Sequence, residues 1–256
     1  MSLLIDTSFL WNETVWNPSM ISTALWLDAA DASTVTTVSG AVSQWNDKSG
    51  NARHVTQATA GNRPTLTSNG LSNRNVITFN AANSTRLSGS LTAASTTESS
   101  FVVVNASSAN TNPQTLLGSS ASQGRQFRLT STTASLLAQA SSLLGSSSTN
   151  APKDVSSIVN LTYQTAGITT LSFFFNGTAA GTASSGNAVG GSGTTDIGAQ
   201  GGGGEGLTGY IAEIVVLQSA PPTDTRQRIE GYLSHKWGLG ANLPNDHPYK
   251  TVGPKP

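Results

Sequence analysis

Gly209-Tyr-Ile-Ala-Glu-Ile-Val-Val-Leu217 is the stretch on which the fold turns. It is rich in β-branched residues, and its last four positions carry no polar side chain. That is the pattern of a strand covered on both faces in the middle of a sheet. Pro221-Pro222 end the ladder, because proline has no N–H to donate to it. Thr223-Asp224 then offers a helix N-cap, with Gln227 placed to close a capping box. Ile229, Tyr232, Leu233, Lys236 and Trp237 recur at three- and four-residue spacing on one face, and Gly238 supplies the stop. A single amphipathic helix has to bury that face against something, and the rest of the chain reads as sheet.

Working outward, short apolar or alternating runs are separated by turn residues. Ala24-Leu-Trp-Leu27, Val42-Ser-Gln-Trp45, Asn75-Val-Ile-Thr-Phe79, Phe101-Val-Val-Val104 and Ile158 to Tyr163 read as strands. Leu116-Leu117, Gln126 to Leu129 and Leu136-Leu137 read as weaker ones. Ile168 to Phe175 meets Asn176-Gly177, a hairpin signal because both turn residues tolerate positive φ. About a dozen strands at this spacing predict an all-β fold of two packed antiparallel sheets with one C-terminal amphipathic helix. Residues 1–22, with Phe9, Trp11 and Trp16 among polar neighbours, read either as a first strand on the sandwich or as a docking arm anchored by its aromatic rings. Residues 23–240 form the sandwich. Residues 241–256, with four prolines after Leu243, are expected to be an extended tail.

Composition agrees. The chain has 36 serines, 33 threonines and 26 glycines among 256 residues, which suits many short strands and turns. Its 13 basic and 13 acidic residues balance, so the electrostatic footprint of a nucleic-acid binder is missing. There is no cysteine, which excludes disulfides and thiolate metal sites. No apolar run is long enough for a membrane span, and Met1 to Asp6 has no positive n-region, so neither membrane insertion nor a secretory signal is expected.

Several of these stretches, taken together, resemble the concanavalin A-like, laminin-G-like jelly-roll domains found in bacteriophage structural proteins and environmental bacteria. The resemblance is carried by Ala24-Leu-Trp-Leu-Asp-Ala-Ala-Asp31, Trp45-Asn-Asp-Lys-Ser-Gly-Asn51 with His54, and Arg63-Pro64. Phe173-Phe-Phe-Asn-Gly177, Asp196-Ile-Gly-Ala199, the Gly209 to Trp237 block and Leu243-Pro-Asn-Asp-His-Pro-Tyr249 complete it over residues 23–249. It implies a two-sheet sandwich whose curved face often binds carbohydrate. Fold does not fix function, so the sites are argued separately.

A glycoside hydrolase needs two carboxylates flanking the scissile bond. Glu213 stands alone in its strand, and the paired acidic strand of the resembling hydrolases is absent, so no catalysis is expected. His54, His235 and His247 lie in no nucleophile motif. His235 reads as a solvated helix residue and His247 as a residue that docks the tail. Calcium is a family option, for which the loop acids Asp28, Asp31 and Asp47 are the candidates; the competing reading is that each accepts backbone N–H bonds in a tight turn. No other cofactor is indicated. For a sugar, Trp45 and Tyr163 are candidate rings by type, with Trp45 read first as core. Gln200 and Glu205 rim the glycine run 201–204, which is either a hairpin tip or a backbone that lets a ligand approach closely.

Two functions are expected. The first is a non-catalytic phage virion protein, a capsid decoration or accessory subunit held on capsid or tail proteins at the virion surface, in many copies or as a homo-oligomer. The second is a lectin-like receptor-recognition module, on a phage tail or secreted, that binds host or environmental polysaccharide. The two are compatible, since weak affinity per copy becomes avidity on a multivalent shell.

Overall fold

The computed structural model describes residues 15–91, 96–119, 125–138, 142–187, 189 and 194–256. Phe9 and Trp11 lie outside the described residues. In chain order the first strands are β1 (Leu25–Asp28), β2 (Val35–Val38), β3 (Ala41–Trp45), β4 (Val55–Thr56), β5 (Thr65–Leu71) and β6 (Arg74–Phe79). Next come β7 (Leu87–Gly89), β8 (Thr97–Ala106), β9 (Gln114–Ser119), β10 (Gln126–Leu129), β11 (Ala134–Ala138) and β12 (Ser142–Ser146). The last are β13 (Ser157–Ala166), β14 (Ile168–Phe175), β15 (Thr178–Ser185), β16 (Thr195–Ile197) and β17 (Gly209–Leu217), followed by the one α-helix among the described residues, α1 (Thr223–Lys236). The strands outnumber the dozen expected because several, such as Val55–Thr56 and Leu87–Gly89, are too short for periodicity to reveal.

All pairings are antiparallel and sort into two sheets. In the first, β17 is central: β8 runs along one edge, while β1 and β6 share the other end to end. β13, β14 and β15 continue beyond β8, and β5 lies beside β6. The second sheet runs β2-β3-β4-β7-β16-β9-β10-β11-β12. A single pair, Ala41 with Thr65, joins the two. Val42, Trp45, Val55, Leu87, Phe127 and Ile197 from the second sheet meet Ile77, Val102, Val159, Leu161, Ile211 and Ile214 from the first in one buried core. The fold is a two-sheet antiparallel β-sandwich. Asn176 (φ 49°) and Gly177 (φ 79°) make the tight turn from β14 to β15 that their pairing predicts.

The outer face of the first sheet is covered by α1. Phe101, Val103, Val215 and Leu217 pack there against Ile229, Leu233 and Trp237 in a second buried cluster, so β17 is covered on both faces as its composition requires. A β-bulge between Ile211 and Glu213 is what allows this. The extra residue puts Ala212 among the helix-facing side chains while Ile211 and Ile214 both point into the sandwich, and Glu213 is left beneath the helix. The helix starts one turn chemistry away from expectation. Pro222 is the N-cap and no side chain caps the helix, so Thr223, Asp224 and Gln227 form no capping box. Asp224 sits in the first turn instead, where its charge complements the helix dipole. At the other end Gly238 (φ 69°) stops the helix, and Leu239 N–H reaches back to Ser234 O at 2.7 Å while its side chain joins the cluster. The segment after the helix folds back along it through turns at 244–250, with His247 buried against Glu230 at 3.2 Å.

Candidate functional site

Trp45 and Tyr163, the rings offered for sugar stacking, both lie inside the sandwich with 0% and 1% exposure. Trp45 alternates inward on β3, and Tyr163 stands across from Glu98 in the β8/β13 register. Burial, and then the Glu98 charge, push the Tyr163 phenol up, so it stays neutral. Glu98 itself is paired with Arg125 at 2.8 Å, both buried. Neither ring is presented to a ligand. Trp16 is likewise turned into its own chain: its ring meets Tyr232 edge to face at 6.1 Å, and its backbone N–H bonds Pro254 O.

The three loop acids are engaged by cations, amides and a hydroxyl that the chain itself supplies. Lys48 sits between Asp28 (2.9 Å) and Asp31 (2.8 Å). Asp47 accepts Trp26 N–H, Ser49 N–H, the Ser49 hydroxyl and Arg53 N–H, which ties the Trp45 to Asn51 motif to β1. Among the described residues no group of three or more acids and histidines is placed to hold a metal ion.

Glu213 does not stand alone. Asp28 is its partner in the β1/β17 register, a neighbour that no inspection of one strand reveals. Lys236 bridges the two carboxylates at 2.6 and 2.7 Å. Glu213 also accepts the Trp26 indole N–H (2.7 Å), the Tyr232 hydroxyl (2.9 Å) and the Trp237 indole N–H (2.7 Å). Burial, opposed by Lys236, holds its carboxyl above the usual range. This acid pair is buried beneath the helix.

Gln200 and Glu205 part company. Gln200 closes a tight turn, exchanging backbone bonds with Gly203 and Gly204. The glycine run is therefore an ordered single turn rather than a loose tip. Gly203 (φ 106°) lies on Ser84 so closely that a Cβ would come within 2.7 Å of it. Glu205, at φ 45°, leaves that turn with its carbonyl held by Thr115 N–H at 2.8 Å. Its carboxylate meets Arg128 Nη1 at 2.7 and 2.8 Å, a partly exposed ion pair.

Beside it opens a depression of about 300 Å³, lined by Asn110, Asn112, Pro113, Gly203, Glu205 and Gly206. Its walls are fastened from within. Buried Gln114 donates to Ser107 O and Asn110 O and accepts Thr208 N–H, and Asn110 Nδ2 holds Gly206 O at 3.0 Å. The exposed Asn112 amide, the Glu205 carboxylate and the glycine backbone are what a ligand would meet. Such groups exchange hydrogen bonds with hydroxyls, and the Pro113 ring offers a small apolar face. Asn110 to Pro113 reads in sequence as an ordinary turn. Nothing local ties it to Glu205.

No family model matches the chain, and no curated protein matches it. Solved structures do. The binding domain of botulinum neurotoxin serotype G superposes with a TM-score of 0.60 at 10% identity, over 84% of this chain and 54% of that one. The binding domain of Paraclostridial Mosquitocidal Protein 1 gives 0.59 at 10% identity, over 82% and 52%. Domain 4 of AbnA, a GH43 extracellular arabinanase from Geobacillus stearothermophilus solved with arabinotriose, gives 0.56 at 11% identity, over 79% and 95%. The likeness is one of fold. The chain spans about half the length of the toxin binding domains and nearly the whole arabinanase domain.

Proposed function

We propose that this chain is a non-catalytic carbohydrate-binding module whose ligand occupies the depression between the Asn110 to Pro113 turn and the glycine turn. The observation that carries the proposal is the pre-formed wall: an exposed amide, a carboxylate held by Arg128 and an ordered glycine backbone around about 300 Å³. Donors and acceptors of this kind match sugar hydroxyls, and holding them in place beforehand lowers the ordering cost of binding. The structural neighbours lend support, since two are binding domains and the third was solved with an arabinose trisaccharide. The sealing of Asp28 and Glu213 beneath the helix favours binding over hydrolysis.

Among the described residues no aromatic ring lines the depression, so affinity per copy is expected to be weak and useful binding to require several copies. Neither the neighbours nor the site speaks for a virion, and the capsid-decoration reading gives way to the binding module. The test is a glycan array probed with the chain displayed as a tetramer, with arabino-oligosaccharides included. Retention on a defined glycan set, lost in Glu205→Gln and Asn112→Ala, is expected. Absence of binding by the tetramer, or binding untouched by both substitutions, overturns the reading.

A further inference from the structure

A second cavity lies at the other end of β17. It measures about 260 Å³ and is lined by Ser22, Asn51, Arg53, Gln218 and Ser219 together with the Thr23-Ala24 backbone. Gly206 of the first depression precedes β17 and Gln218 follows it. At roughly 3.3 Å per residue, a nine-residue strand therefore separates the two sites by on the order of 25 Å. The cavity is independent of the Asn112 and Glu205 depression.

Its chemistry differs as well. Among the described residues no acid lines it, and Arg53 is its one charge. Arg53 is held at two points, its backbone N–H by Asp47 Oδ2 and its guanidinium Nη1 by Ala24 O, each at 3.0 Å. Asp47 already accepts four hydrogen bonds, and the Arg53 guanidinium forms no ion pair among the described residues. Its Nε and Nη2 donors, the edge that grips a carboxylate or sulfate through two parallel bonds, make no hydrogen bond within the described chain. Asn51 is fixed beside it with its Nδ2 donors already engaged by Thr23 O (2.8 Å) and Ser49 Oγ (2.9 Å), and the Ser22 and Ser219 hydroxyls are the further donors of the lining. An arginine positioned at two points, with an open fork and hydroxyls around it, is arranged for a small oxyanion.

We infer that this cavity is an oxyanion-binding site, sized for the carboxylate or sulfate of an acidic sugar or for the free anion. The volume is below that of drug-sized ligand pockets, which fits a single sugar ring or a small ion.

The experiment is an NMR titration of the ¹⁵N-labelled full chain with sodium sulfate and with sodium galacturonate, against sodium chloride at matched ionic strength. Saturable shifts at Asn51, Arg53 and Ser219, absent in chloride, are expected. Arg53→Lys keeps the charge but loses the fork and should weaken binding several-fold. Arg53 also supports the Ala24 carbonyl, so Ser219→Asp provides a check at an exposed side chain with no hydrogen bond in the described chain; its like charge should weaken binding by at least about tenfold. Tighter saturation by galacturonate assigns the sugar acid, and saturation by sulfate alone assigns the free anion. Shifts shared equally by chloride, no saturable shift with either anion, or variants that titrate like the unsubstituted chain overturn the inference. Loss of neutral glycan binding in Glu205→Gln leaves this titration unchanged, so the two sites fail separately.

Discussion

The Trp237 indole at the end of α1 donates to the Glu213 carboxylate of the central strand at 2.7 Å, fastening the helix to the sandwich through a buried hydrogen bond rather than through apolar packing alone. Four donors converge on this one carboxylate: the Trp26 and Trp237 indoles, the Tyr232 hydroxyl and the Lys236 ammonium. Glu213→Gln sets an amide N–H against at least one of those donors and should lower stability by about 2–3 kcal/mol. Glu213→Leu leaves every donor buried without its acceptor and should cost about 3–5 kcal/mol. Urea denaturation followed by tryptophan fluorescence measures both. Equal midpoints for the two variants would remove the carboxylate from its place as fastener.

Trp16 is predicted to act as core. It is 3% exposed and stacks edge to face on Tyr232 of the helix. Trp16→Ala should destabilise by about 3 kcal/mol, the lost burial of a large ring together with a cavity. The same denaturation curve reads it. An unchanged midpoint would return Trp16 to the role of a docking residue.

The β17 to α1 block was legible because its signals are local: a run of β-branched residues, a proline stop, one apolar helix face and a glycine at the αL position after it. The polar cluster under the helix was not. Glu213 reaches it only because a bulge beside Ala212 turns it toward the helix, and Asp28 joins it only through strand register. Neither is encoded in a short window of residues. Residue type misled at Tyr163, whose ring suits a sugar while the strand turns it inward, whereas Trp45 lies in the core, the first reading of its motif. Pro222 defeated the capping box by taking the cap position itself. Glu205 was reachable from its glycine neighbours, whereas Asn112 becomes its neighbour through Gln114 and Thr115, which tie one turn to the other.

Gly209 opens β17 at φ 142°, and a Cβ there would overlap the Asn105 carbonyl oxygen of β8. Both partners are backbone, so nothing flexible can give way. Gly209→Ala should therefore cost about 3 kcal/mol or more, through strain and a displaced β8/β17 ladder. Hydrogen exchange checks the location. Protection should fall first at the Gly209 to Ile211 and Val104 to Ala106 amides, and uniform loss across both sheets would show that the strain is not held there.

Lys153 is half-buried, and its ammonium is shut away without a hydrogen-bond partner among the described residues. Burial pushes its pKa down to about 8, with Asp154 opposing. The unfolded chain keeps the proton up to about 10.4. Between those values the unfolded state binds more protons than the folded one, so the Lys153 contribution to stability rises with pH through that window. Below about 8 the folded state carries the full penalty of the buried charge. Lys153→Met removes the charge and keeps the stem. Because the side chain retains solvent contact, the gain at pH 7 is expected to be only about 1 kcal/mol. At pH 10 the folded lysine is already neutral, and the advantage of methionine should shrink toward zero. Urea midpoints of both chains at the two pH values decide the matter, since the titration of the buried tyrosines cancels in the difference. A gain that stays constant with pH would trace the effect to packing and not to charge.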